Sequence, residues 1–322
     1  MKRIPEGLTL GPFTLDRGAE LGLSERVLEG RRFRSPWSGV RTLREAPESL
    51  VDRCQALALV LPESAVFSHH TALHLGGWLT PHLGDGPARY TAREPGWFVP
   101  IHVAVPLHDV RPQRRGVVGH RSDLSSDDIW DINGLRETSP WRTWCDLADS
   151  RSEVDLVILA DALRRRFGNG AYGLETQLGK WGGCRGVRTL RRALSRSRDG
   201  VDSPMETRLR LIFADAGLPE PVVNRWVTRD DGSGIHCPDL SWPAWRVAAD
   251  YDGRHHADRD STDEVRRGHA SDWRKRQDTS RGELLEEAGW ILRVFTSYDV
   301  FRAPERATER MRAALRKAGA DV

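Results

Sequence analysis

The sequence predicts a multidomain α+β chain, on three observations. At 322 residues it is longer than one domain usually runs. Hydrophobic residues at 39% and charged residues at 30% describe a chain with enough apolar side chains to fill a core in each domain. Alternating, strand-like stretches and 3.6-period, helix-like stretches succeed one another without a fixed repeat. Punctuation by Gly, Pro, Ser and Asn then places three regions at 1–60, 61–198 and 199–322.

The bulk numbers exclude some function classes and leave others open. A net charge of +3 permits a polyanionic partner without requiring one. Cys54, Cys145, Cys184 and Cys237 lie far apart and form no CxxC pair, so neither a disulfide framework nor a zinc knuckle is expected, and a reducing cytoplasm fits. The first ten residues carry no apolar run, and no stretch of about 18 apolar residues occurs, so neither export nor membrane insertion is expected.

The first region reads as two short helices split by Gly22, the second opening at Ser24 and closing at Gly30. That spacing suits a helix-turn-helix. Behind it, Arg31, Arg32, Arg34, Arg41 and Arg44 surround the turn Ser35-Pro36-Trp37-Ser38-Gly39, either a basic wing lying against phosphates or a solvated arginine-rich hairpin.

The middle region is predicted to be α+β, with a strand over 99–105, a hairpin turn at Asn133-Gly134, a helix capped by Ser139 with Pro140 at its first position, and a second helix over 154–165. His69 and His70 stand together ahead of Thr71. Adjacent side chains on a helix do not converge on one ion, so a structural role is expected for this pair. A basic stretch at 185–200 is predicted to be a helix and then a linker.

The third region opens with Ser203 as cap, Pro204 at the first helical position and Glu206 at the third. Met205, Leu209, Ile212, Phe213 and Ala216 mark one face of the helix, and Gly217 ends it. Glu206 at this position is the glutamate of a capping box, which bonds back to the cap backbone. Strands are predicted over 222–229 and 235–242, joined by the turn at 230–234. With Pro243-Ala244 as a two-residue connection, Trp242 faces Trp245, Asp239 lies opposite Ala248, and Asp250 is diagonal to Asp239 on the same face. Alternation sends Val247, Ala249 and Tyr251 one way and Ala248, Asp250 and Asp252 the other, so one face carries three carboxylates. Converging carboxylates destabilise a sheet unless a cation or water takes up their charge, and Mg²⁺ suits one or two of them at an open edge. His255 and His256 come just past the strand, where an imidazole can move a proton at neutral pH.

These residues, Pro238-Asp239 and then Asp250-Tyr251-Asp252-Gly253 and His255-His256, resemble the PD-(D/E)XK nuclease superfamily. Within it, 203–298 looks like the domain of unknown function DUF559, related to very-short-patch repair endonucleases. Ser203-Pro204-Met205-Glu206-Thr207 and Gly217-Leu218-Pro219 upstream support the likeness, as do Asp278, Arg281, Leu285, Gly289-Trp290 and Leu292-Arg293-Val294 downstream. The resemblance implies an α/β restriction-endonuclease-like domain, Asp239 and Asp250 as ligands of Mg²⁺ or Mn²⁺, and Glu206 as an auxiliary acid. Where the family's motif has lysine this chain has Asp252, and its second acid is the shorter Asp250. Those departures move the general-base role toward His255 or His256. The first two thirds are similar to AbiEi-type antitoxins with an initial winged helix, through Phe67-Ser68-His69-His70-Thr71-Ala72, 134–140, and Arg142-Thr143 with Asp146-Leu147-Ala148. That likeness implies a toxin-antitoxin, phage-defence or repair setting.

The expected function is Mg²⁺-dependent DNA cleavage, with phosphate contacts from Arg31, Arg32, Arg34, Lys275 and Arg281, DNA as partner, and a cognate toxin or a repair or defence protein as a second partner. The alternative is a DNA-binding regulator or antitoxin without catalysis.

Overall fold

The computed structural model describes residues 4–9, 11–46, 48–77, 100–168, 170–228, 234–253 and 282–322. It is a mixed α/β chain in two compact units. One holds the described residues up to Arg151 together with Glu175–Leu190; the other holds Ser152–Leu174 and the described residues from Arg191 onward. No described helix is long and apolar enough to cross a membrane.

The first unit begins with β1 (Phe13–Thr14), α1 (Leu15–Glu20), α2 (Glu25–Leu28), β2 (Phe33–Arg34) and β3 (Val40–Leu43). The strands form an antiparallel sheet in the order β1-β3-β2. Thr14 caps α1 by accepting the Arg17 N–H, and Gly22, at φ 78°, turns the chain into α2. Leu8, Phe13, Leu23, Leu28 and Phe33 close a small core beneath these elements. The two short helices and the arginine-rich hairpin predicted from the sequence are present, although α2 is a single turn and Ser24 makes no side-chain cap bond. Trp37, in the predicted wing turn, is turned inward. Its indole N–H donates to the Arg53 carbonyl at 3.0 Å, and its ring belongs to one core with Val40, Cys54, Leu57 and Phe67. Residues predicted to form a separate first region thus share a core with Phe67, Ile101, Val103 and Leu135 of the middle region.

That core belongs to α3 (Leu50–Ala58), β4 (Val66–Phe67), α4 (His69–Leu75), β5 (Ile101–Pro106), β6 (Val117–Ser122), β7 (Ile129–Ile132), β8 (Leu135–Thr138) and α5 (Pro140–Asp146). The five strands run in the order β6-β5-β4-β8-β7, with β5-β6 and β4-β8 parallel and β4-β5 and β7-β8 antiparallel. Asn133 and Gly134, at φ 54° and 75°, make the turn that their dipeptide predicts. Ser139 Oγ accepts the Arg142 N–H ahead of Pro140, so α5 starts where the cap signal places it. The Arg142 guanidinium is buried against Asp146 at 2.9 Å and Asp128 at 3.3 Å.

The chain continues through α6 (Glu153–Phe167), α7 (Gly170–Lys180), α8 (Val187–Arg196), α9 (Pro204–Asp215), β9 (Val222–Val223), β10 (Val227–Thr228), β11 (Gly234–His236), β12 (Leu240–Trp242), β13 (Val247–Asp252), β14 (Ile291–Thr296), α10 (Ser297–Phe301) and α11 (Pro304–Lys317). In the second unit, β14-β13-β12-β9 form a sheet in which β13-β14 is parallel and the other pairings are antiparallel; β10 and β11 pair separately. Met205, Leu209 and Phe213 of α9, Met311, Ala314 and Leu315 of α11, and Leu240, Trp242, Val247, Ala249 and Phe295 of the sheet make one core. Met205, Leu209 and Phe213 of the predicted face are buried in this core with Ile212 packed against it, and Glu206, Thr207, Arg210 and Leu211, off that face, are buried as well.

Two strand predictions are corrected. The strand expected over 222–229 is broken at Asn224, whose φ of 44° leaves the β region. The strand expected over 235–242 is broken at 237–239, where Pro238 has no N–H for a ladder bond. The register is corrected too. The connection between β12 and β13 is a 3₁₀ turn, Pro243–Trp245, and then Arg246 at φ 53°, so Trp242 pairs with Val247 and Leu240 with Ala249. One residue further, Asp239 stands opposite Asp250 rather than Ala248. A shift of two keeps every side chain on its face, so the predicted convergence survives the mistaken turn.

Candidate metal centre

Four side chains meet where β11, β12 and β13 approach the start of α9. Asp239 immediately precedes β12, Asp250 lies in β13, Glu206 is in the first turn of α9, and His236 ends β11. The Asp239 N–H donates to Asp250 Oδ1 at 3.1 Å, and the Tyr251 N–H donates to Asp239 Oδ2 at 2.6 Å. His236 Nε2 lies 2.7 Å from Asp250 Oδ2. Backbone pairing and carboxylate placement are therefore the same piece of geometry, because each aspartate is held by an amide of the neighbouring strand.

Glu206 is 5% exposed. Ser203 Oγ caps α9 by accepting the Glu206 N–H at 3.2 Å. The glutamate does not complete the predicted reciprocal box on Ser203. Its Oε2 instead accepts the Asp202 N–H at 2.9 Å and Asn224 Nδ2 at 2.7 Å. Asn224 donates its backbone N–H to the Asp239 carbonyl at 3.1 Å, so the residue that breaks the strand ties Glu206 to the aspartate segment.

The electrostatics record this crowding. Burial, and then the charges of Glu206 and Asp250, push the Asp239 carboxyl up to about 7, against the opposing hydrogen bond from Tyr251. The neighbouring Cys237 thiol is raised by burial and by Asp202, Asp239, Asp250 and Glu206. A divalent cation would offset this negative charge. Mg²⁺ takes one or two carboxylates and completes its shell with water and phosphate, and Asp239 with Asp250 fits that demand. The three carboxylates do not bring one oxygen each within 4.8 Å of one another, so a closed all-protein cage is not what they form. Asp252 lies at the end of β13, half-buried, and raises the Tyr251 phenol together with burial.

Not every expected site residue joins this group. His255, His256, Lys275 and Arg281 lie outside the described residues. In the hairpin, Arg31 is exposed and Arg32 half-buried, but Arg34 is occupied inside the fold, paired with Glu48 at 2.8 Å and donating to the Ala46 carbonyl. Arg41 and Arg44 likewise donate to backbone carbonyls, of Leu28 and of Arg31 and Phe33. His236 was not anticipated. Strict alternation along 235–242 points it away from Asp239, and only the break at 237–239 brings it round.

A second cluster lies in the first unit. His69, at the start of α4, His102 in β5 and His120 in β6 place one ring nitrogen each within 4.8 Å of one another, the only such trio of candidate metal ligands among the described residues. Burial depresses all three, with the neighbouring histidines adding at His69 and His102 and the Arg111 charge at His120; His69 falls to about 2 and His102 to about 4, so they are neutral imidazoles at physiological pH.

No family model and no solved structure matches the chain. Among curated proteins it is similar to an uncharacterized protein of Mycobacterium tuberculosis, found in strain CDC 1551 / Oshkosh and in strain ATCC 25618 / H37Rv. The identity is 26% over 282 residues, which cover 88% of this chain and 92% of each relative.

Proposed function

We propose that the second unit is a Mg²⁺- or Mn²⁺-dependent DNA endonuclease of the PD-(D/E)XK type, carried behind an N-terminal winged helix in a cytoplasmic phage-defence, toxin-antitoxin or repair setting. The observation that carries this reading is the convergence of Asp239 and Asp250 from adjacent strands beside the buried Glu206. A half-buried cluster of acids is costly by itself, and a fold retains such a cost where function uses it.

When bound, a divalent cation supplies a water of lowered pKa and a contact for the scissile phosphate. Asp239 and Asp250 would hold it, each pre-oriented by an amide of the neighbouring strand. His236, on Asp250 Oδ2, orients that carboxylate and stands in reach of a proton moved at the site. Glu206 keeps the Asp239 segment in place through Asn224. Arg31, exposed in the hairpin, would contact phosphate; Arg34 serves the fold.

One observation favours the second reading, a DNA-binding regulator without catalysis: both oxygens of Asp250 already have partners within the chain. Incubation of the full chain with supercoiled plasmid and Mg²⁺ or Mn²⁺ decides between them. Metal-dependent nicking that disappears in Asp239→Asn and Asp250→Asn supports the nuclease; salt-sensitive binding with no nicking supports the regulator and ends the first reading.

A further inference from the structure

We infer that His69, His102 and His120 form a Zn²⁺ site in the first unit, three imidazoles with a fourth coordination position left to water or an exogenous ligand. This inference stands apart from the nuclease reading, since the residues, the sheet and the class of cation all differ.

The scaffold brings the three rings together from separate elements. In the parallel β5-β6 pair, His120 lies opposite Ala104, two residues on from His102, so the two histidines are diagonal neighbours on one face. His102 Nδ1 and His120 Nε2 are 3.0 Å apart. His69 arrives from the β4-α4 junction and stacks on His120 with ring centroids 3.7 Å apart. Two backbone ties fix that junction against β5: the Ser68 N–H donates to the His102 carbonyl at 3.1 Å, and the His102 N–H donates to Thr71 Oγ1 at 2.9 Å.

The cluster has three features that a merely structural histidine group does not need together. First, Zn–N bonds of about 2.0–2.1 Å in a tetrahedron put ligand nitrogens roughly 3.4 Å apart; His102 and His120, at 3.0 Å, are near that spacing, and all three ligand nitrogens lie within 4.8 Å of one another. Second, His69 has φ 50°, an uncommon angle for a residue other than glycine, and from that backbone position its ring stacks on His120. Third, Ser68, at the cap position of α4, makes no cap bond; its Oγ lies 3.0 Å from His69 Nδ1 instead. That contact orients the ring and leaves Nε2 as its ligand atom, the kind of outer partner that metal-binding histidines have.

The ligand type selects the ion. Imidazole nitrogen suits Zn²⁺ and other late first-row metals, whereas Mg²⁺ requires oxygen. All three histidines are partly exposed rather than sealed, so the ion and a further ligand can reach them. Three protein ligands with an open position are the pattern of a reactive zinc site, not of a closed structural one.

The test uses the full chain, stripped with a chelator and then titrated with Zn²⁺ against a chromophoric competitor, with Co²⁺ as a spectroscopic substitute. The expected result is one equivalent of Zn²⁺ and visible Co²⁺ bands of tetrahedral type. Uptake should be unchanged in Asp239→Asn and in the exposed control His108→Asn. It should weaken in His102→Asn and His120→Asn by at least the roughly 10–100-fold that loss of an orienting partner alone causes. A wild-type chain that takes up no Zn²⁺ and gives no tetrahedral Co²⁺ spectrum overturns the site, leaving a hydrogen-bonded stack of neutral imidazoles. Uptake equal in wild type, His102→Asn and His120→Asn overturns it as well. Should these variants misfold by circular dichroism, the wild-type Co²⁺ spectrum decides alone.

Discussion

The two clusters present opposite solutions to the placement of metal-ligating side chains. On the sheet of the second unit, Asp239, Asp250 and Glu206 crowd negative charge into a half-buried pocket, and Asp239 is driven up to about 7 by burial and its neighbours. On the sheet of the first unit, His69, His102 and His120 crowd neutral rings, and burial keeps them uncharged. The first arrangement would gain electrostatically from a cation; the second offers uncharged lone pairs. On the two proposed sites, ligand chemistry would favour a hard cation at the carboxylates and a borderline one at the imidazoles.

The sharpest way to break this comparison is to remove one acid. Asp250→Asn should lower metal-dependent plasmid nicking by about 10²–10³-fold or more, the scale seen when one preorganised electrostatic partner is lost, while Zn²⁺ uptake by the full chain stays at one equivalent. Loss of both properties in this variant would show that the clusters are not separable. Next in size is the support of the acidic site. Asp161 and Arg210 form a buried pair at 3.1 Å, with Thr207 donating to the same carboxylate at 2.8 Å. Arg210→Met leaves Asp161 buried without its cation, and urea unfolding should report a loss of about 3–5 kcal/mol. A loss below about 1 kcal/mol, the scale of an exposed pair, would mean that this one does not anchor α9.

The two clusters also differ in how far a sequence reveals them. Asp239 and Asp250 are eleven residues apart in one hairpin, and alternation along a strand is a strong local rule, so their convergence was legible even though the turn was misjudged by two residues. The helix α9, with its Ser203 cap and Pro204, was legible for the same reason: its signals lie within one turn. His236 escaped because a proline break, not periodicity, turns it toward Asp250. The histidine trio escaped more completely. His102 and His120 meet through a parallel pairing, whose register no short turn specifies, and His69 reaches them only through a left-handed backbone angle. The neighbouring pair His69-His70 drew attention to the right place, but the rule that adjacent helical side chains diverge answered only whether those two bind one ion together. The inward Trp37 was likewise invisible, since a turn tryptophan looks the same in sequence whether it faces water or a core.

Cation-linked stability sharpens the contrast further. At a Mg²⁺ concentration ten times its dissociation constant, the wild-type chain should gain about 1.4 kcal/mol, seen as a rise in Tm, and Asp239→Asn should gain nothing. An equal Mg²⁺-induced rise in both proteins would place the ion elsewhere.

A pH dependence separates burial from crowding as the origin of a raised carboxyl. Glu137, in β8, is 2% exposed, its Oε2 has no hydrogen-bond partner, and burial alone pushes its carboxyl up to about 7. A carboxyl whose folded value lies above its unfolded one, near 4.3, contributes stability fully below that unfolded value and loses it as pH rises through 7. Glu137→Gln, which cannot ionise, should therefore match the wild type in urea unfolding at pH 4 and exceed it by up to about 3–4 kcal/mol at pH 8. Mg²⁺ should not change that difference, because among the described residues burial alone, and no second acid, raises Glu137. A Mg²⁺-sensitive difference would put Glu137 among the cation-linked acids and remove the distinction between a carboxylate isolated by burial and a pair held together for a metal.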